Sequence, residues 1–160
     1  MTLTEVSNIL WRERQLLELL LFKLEEEQLL LASGRSRWLA HATREVETVL
    51  AEIKRVELSR AVQVEGLAVE LGLSPNASLR ELAEVAPPPW NSVLEDHREA
   101  FLQATQEITS LAQDNRELLS RGYSAARQVL SSIDDSRVET YSPAGLATSR
   151  ATTRLVDEVI

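Results

Sequence analysis

The sequence predicts an all-α protein: an elongated antiparallel bundle of three long helices, with one short helix between the second and third, and a C-terminal tail. Three observations predict it. Leu, Ala, Glu and Arg abound while Gly and Pro number five each and aromatics make up 4%, a balance that favours helix over sheet. Apolar residues recur at spacings of three and four along three long stretches, as on one face of a helix. Turn residues punctuate the stretches, at "ASGRS" and again at "GLSPNAS". With 160 residues, 44% of them hydrophobic, the chain suffices for one compact domain. The bundle is expected over residues 1–133 and a mobile or conditionally helical tail over 134–160.

The first stretch runs from about Thr4 to Ala32. Leu10, Leu17, Leu24 and Leu31 fall seven apart, Val6, Leu20 and Leu21 widen the stripe, and Glu13, Arg14, Glu18, Glu25 and Glu26 lie mostly off it. Gly34 can adopt the left-handed conformation that closes a helix, and Ser36 is placed to cap the next one. The second stretch, Arg37 to Leu71, carries Leu39, Ala42, Val46, Val49, Ile53 and Val56, then drifts by one residue to Ala61, Val64, Ala68 and Leu71. A straight helix of period 3.6 produces such a drift. Gly72 and Pro75 stop it.

"SLRELAEVA" predicts the short helix, with Ser78 and Glu81 in the spacing of a capping box. "PPPW" follows as a stiff corner, and its last proline can open a new helix. In the third long stretch Leu94, Phe101, Ile108, Asn115, Gly122 and Val129 fall seven apart. His97, Ala104, Leu111, Leu118 and Ala125 fill the alternate seam, and the pattern runs out near Ile133.

Charge and composition exclude several functions. A net charge of −8 is wrong for neutralising phosphates, so no nucleic-acid partner is expected. With no cysteine there is no disulfide, thiolate metal site or Cys nucleophile. "MTLTEVSNIL" has no basic region before an apolar stretch, and "LLELLLF" is short and contains Glu18, so neither a signal peptide nor membrane insertion is expected. The expected compartment is the cytoplasm.

No enzyme is expected. His97 stands beside Asp96, yet adjacent helical residues point in different directions, and its seam position favours a core histidine bonded to a neighbour. His41 reads as ordinary, and two isolated histidines have no metal-ligand spacing. Glu25, Glu26 and Glu27 read as a solvated face rather than paired catalytic carboxylates. There is no phosphate loop or nucleophile elbow, so catalytic residues, metal and cofactors are all expected to be absent. Trp11, Trp38 and Trp90 are expected to close the core ends with buried rings and wet N–H groups. Asn115 interrupts an apolar seam. It is either a register device, the favoured reading, or a sign that the seam is open there and meets something else. The tail is polar from Asp134 to Thr153, yet it holds Tyr141, Leu146, Leu155, Val156, Val159 and Ile160. Two readings stand level: a segment that folds on a partner, or a frayed end that packs back on the bundle.

Five pieces in order — "LLELLLFKLEEEQLLLASG", "WLAHATREVE", "LGLSPNASLRELAE", "DNRELLSRGYSAARQVL" and "TYSPAG" — resemble the FlgN family of cytoplasmic flagellar export chaperones over residues from about 10 to 146. The resemblance implies binding to the C-terminal helical region of hook-associated, or hook–filament junction, proteins, prevention of their premature assembly, and delivery to the type III export gate. It implies a client-binding region in the last helix and tail: Asn115, Leu118 and Leu119, which match an Asn-x-x-Leu-Leu pattern, with Tyr123, Ala126, Val129, Leu130, Ile133 and Leu146. Tyr141, which with Gly145 matches the tail motif, is the residue it implies for docking on the gate. The alternative is a coiled-coil scaffold or dimerisation module without a client. The heptads also allow a homodimer.

Overall fold

The computed structural model describes residues 2–140, and their side chains through residue 133. Among these residues there is no strand. The helices are α1 (Leu3–Ala32), α2 (Leu39–Glu70), the short α3 (Leu79–Val85) and α4 (Trp90–Thr140), with a 3-10 turn at Ser36–Trp38. The chain divides into two compact units, Met1–Gly122 and Tyr123–Ile160, and α4 supplies helix to both. Each unit is taken on its own below. The expected tail region overlaps α4 through Thr140, whereas Tyr141, Leu146 and the rest of 141–160 lie outside the described residues.

In the first unit, cross-helix contacts fix the directions. Lys23 Nζ meets Glu45 at 3.0 Å and Arg60 meets Glu13 at 3.2 Å, so α1 and α2 run antiparallel. Ser7 meets His97 and Leu24 meets Asn115, so the first part of α4 runs parallel to α1. This is the up-down-up order of a three-helix bundle. Two apolar clusters fill it. One, near the α3 end, gathers Val6, Leu10, Leu67, Ala68, Leu82 and Leu94. The other joins Leu16, Leu20 and Leu24 to Val46, Val49, Ile53 and Val56, with Ile108, Leu111 and Ala112 packed against it. Leu10, Leu82 and Leu94 are fully buried. Each such side chain contributes on the order of 1.5–3 kcal/mol.

Local chemistry explains the boundaries. Thr2 and Glu5 form a capping box at the start of α1, and Ser78 and Glu81 form the expected one at α3. Gly34 at φ 68° and Gly72 at φ 75° take the left-handed conformation after α1 and α2. Pro89 immediately precedes α4. α4 continues to Thr140, beyond the end of its heptads. An apolar stripe marks where a helix packs, not where its hydrogen-bond ladder stops.

Several expectations need correction. Ser36 does not cap α2: it lies inside the 3-10 turn, and Trp38, the residue before α2, makes no side-chain cap. Glu13 is not off the stripe but buried in it, and Leu16, absent from the expected stripe, is a core residue, with the half-buried Leu17 packed against the same cluster. Ala61 is exposed, because the inner face of α2 passes through Arg60 and Val64 at that level. Trp11 and Trp38 are half exposed rather than buried. Arg14 lies 4.3 Å over the Trp11 ring, and Arg37 lies 4.9 Å over that of Trp38.

Candidate functional site

Three polar features interrupt the first unit. His97 is fully buried. Its Nδ1 lies 3.4 Å from the Arg14 guanidinium, which can only donate, so Nδ1 accepts and Nε2–H donates to Ser7 Oγ at 3.2 Å. Burial, helped by the Arg14 charge and opposed by Asp96, holds the imidazole pKa below its ordinary value. The Ser7–His97–Asp96 set is not a nucleophilic triad. Asp96 pairs with Arg14 at 3.1 Å and points to water, so no carboxylate orients Nδ1. Trp11 packs edge-on to the imidazole at 5.0 Å. His97 is thus the bonded core histidine expected from its seam position.

Glu13 and Arg60 form the second feature, an ion pair at 3.2 Å with Glu13 almost wholly buried. No donor is aimed at Glu13 Oε2 in hydrogen-bond geometry. Burial pushes the Glu13 carboxyl pKa up, and the Arg60 charge opposes it. Sequence reasoning missed this pair, although Glu13 stands three residues after Leu10 and seven after Val6, on the buried stripe itself.

The third feature is Asn115, which is 3% exposed. Its Nδ2 donates to the Leu24 carbonyl at 2.9 Å and to Glu27 Oε1 at 3.2 Å. Thr43 of α2 donates to the other oxygen of the same carboxylate at 3.2 Å. Glu27 therefore ties all three long helices together at the end of the second apolar cluster. Both groups facing Nδ2 are acceptors, so the orientation of the amide is determined by chemistry.

Asn115 thus stands apart from the other client-binding candidates, its side chain taken up by α1. Leu118 is half-buried, and Leu119 is 53% exposed. In the second unit, Tyr123, Val129, Leu130 and Ile133 are all exposed, as is Ala126. At 100° per residue these five fall within about a third of the helix circumference. Arg127, Gln128 and Ser131 occupy the remainder. The segment is amphipathic, and since residues 121–133 are all exposed, its apolar side is uncovered. Tyr141 and Leu146 lie outside the described residues.

Among the described residues no group of three His, Cys, Asp or Glu side chains is placed to hold a metal ion, and no helix is long and apolar enough to cross a membrane. The sequence model of a family described as "FlgN protein" matches residues 1–149. No curated protein and no solved structure matches the chain.

Proposed function

Because the chain belongs to the FlgN family of flagellar export chaperones, we propose that it acts in the cytoplasm on hook-associated proteins. It masks their C-terminal helical region until they are delivered to the type III export gate. The observation that carries this reading is the change in α4 after Asn115: Leu119 is 53% exposed, Tyr123 48%, Val129 58% and Leu130 67%. Such an arc suits an amphipathic client helix, read by anchors at spacings of three and four. Burying it contributes about 25 cal/mol per Å2. Ordering the client costs part of that, so affinity stays moderate and release at the gate remains feasible. Tyr141 serves the second step, docking on the gate.

Titration calorimetry with a synthetic C-terminal helix of a hook-associated protein tests the surface. Tyr123→Asp and Leu130→Asp are each expected to weaken binding at least about tenfold, with the thermal midpoint unchanged because both sites are exposed. Affinities within about twofold of wild type would sink the assignment. Tyr141→Ala is expected to leave client binding intact and to weaken binding to the isolated gate component. Equal gate affinity would reject that role and leave the client surface standing.

A further inference from the structure

The outer face of α2 carries an apolar stripe that the bundle does not use. Leu58 is 72% exposed, Val62 68% and Val69 59%. They lie opposite Val49, Ile53, Val56 and Leu67, the residues with which α2 enters its own core. With Ala51, Arg55 and Glu65, all exposed, they form a seam at positions 51, 55, 58, 62, 65 and 69, spaced alternately four and three. That spacing is the a/d repeat of a coiled coil, facing away from the bundle.

The seam reads the same from either end in a chemical sense. Taken in pairs centred on residue 60, Ala51 matches Val69, Leu58 matches Val62, and Arg55 matches Glu65. In an antiparallel pair of helices each a position faces a d position of the other. The pairs are of that kind: small with apolar, apolar with apolar, cation with anion. Ser59 and Ala61, which flank the centre, are small enough for close approach. Arg55 is oriented within the seam by a two-point ion pair to Glu52 at 2.7 and 3.0 Å. Glu65 has no ion-pair partner among the described residues.

The stripe also stops where a partner of this geometry would stop. α2 ends at Glu70, and Gly72 turns the chain away. The seam positions before Ala51 are Thr48 and Arg44, polar residues that no partner helix would reach. We propose that a second copy of this chain docks on this face, with the two α2 helices antiparallel about a two-fold axis level with residue 60. Arg55 of each chain pairs with Glu65 of the other, and the Leu58 and Val62 layers form the centre. The overlap of residues 51–69 is about 27 Å long, a small interface of the kind that associates reversibly. It is independent of the client surface on α4.

Sedimentation of the full chain over a concentration series tests this, with circular dichroism as the control for folding. Wild type is expected to pass from monomer to dimer, and Leu58→Glu to remain monomeric. Arg55→Glu and Glu65→Arg each place like charges together in two layers and should weaken association by about tenfold or more. The double swap should restore it, and the two single variants mixed should associate with each other. The chain has no cysteine, so Ala51→Cys/Val69→Cys provides a second readout. Mild oxidation should crosslink it into dimers, while either single cysteine should not. A wild type monomeric at every concentration, a dimer that survives Leu58→Glu, or a double swap that fails to restore association would each overturn the proposal. So would loss of client-helix binding in a monomeric Leu58→Glu chain, which assigns the face to the client. A dimer that appears only after truncation at Thr140 assigns the face to the chain's own C-terminal segment and has the same consequence.

Discussion

Asn115→Asp separates the two roles that a polar residue in this seam can have. The substitution keeps the shape and replaces a donor by an acceptor. In the folded chain the new oxygen would face the Leu24 carbonyl, where Nδ2 now sits at 2.9 Å, and Glu27 Oε1, now at 3.2 Å. Both are acceptors, and the site is 3% exposed. A buried carboxylate without a partner costs about 3–5 kcal/mol, which for a chain of this size lowers the thermal midpoint by roughly 10 °C. Urea unfolding at pH 7 and pH 5 measures it. The new carboxyl is stabilised in its neutral, donating form, so its folded pKa rises above the ordinary value of about 3.9. The native state then holds a proton that the unfolded state has released. The deficit against wild type therefore grows as pH rises through that window and shrinks on acidification. Asn115→Leu should stay within about 1 kcal/mol of wild type. It removes an Oδ1 that has no partner, the Leu24 carbonyl keeps its place in the ladder of α1, and the Glu27 carboxylate, only half-buried, keeps Thr43 and exchanges the Asn115 bond for water. An Asp variant as stable as wild type at pH 7 would mean that the side chain faces water, and the bundle junction drawn here would be wrong.

Further outcomes follow from the other polar features. His97 has a folded pKa below its ordinary 6.5, so its contribution is complete above pH 6.5 and is lost as pH falls through the folded value. His97→Gln should flatten the pH dependence of the urea midpoint in that window, and unchanged slopes would contradict a buried neutral imidazole. Arg60→Met should cost about 3 kcal/mol by stranding Glu13. Glu13→Gln should cost less than about 1 kcal/mol, because Arg60 is 30% exposed and can hydrate; equal losses would refute the asymmetry. Ser78→Ala removes the cap of α3 and should lower stability by about 1 kcal/mol, read as a shift of the thermal midpoint.

The helices were legible because their signals are local: a repeat of three and four, a glycine where the chain must turn left-handed, a Ser and a Glu three apart. What the seams meet was only partly legible. Asn115 stood out as a polar break in an apolar seam, but its acceptors on Leu24 and Glu27 depend on the phase between α1 and α4, which no single helix encodes. Glu13 is illegible as a core residue because its charge argues for the surface while its position argues for the stripe, and Arg60, which makes its burial tolerable, is distant in sequence. The exposed stripe on α2 is hidden for the opposite reason. Leu58, Val62 and Val69 read as scattered apolar residues until the inner face of the helix is known.

The heptad pattern of α4 runs on with little change past Asn115, so periodicity alone cannot say where the seam ceases to be covered. Length and register decide it. α1 has 30 residues against the 51 of α4. With Leu24 set opposite Asn115, α1 has eight residues left before it ends at Ala32. Cover from α1 therefore runs out about two turns beyond Asn115, in the stretch where Leu118 is half-buried and Leu119 is already exposed. The same polar group that fixes the register thus determines how much apolar helix remains for a partner. Slipping α4 by one turn would leave Asn115 without its acceptors and would break the Ser7–His97 and Arg14–Asp96 contacts as well, so the extent of the bare surface is held by hydrogen bonds in addition to apolar packing.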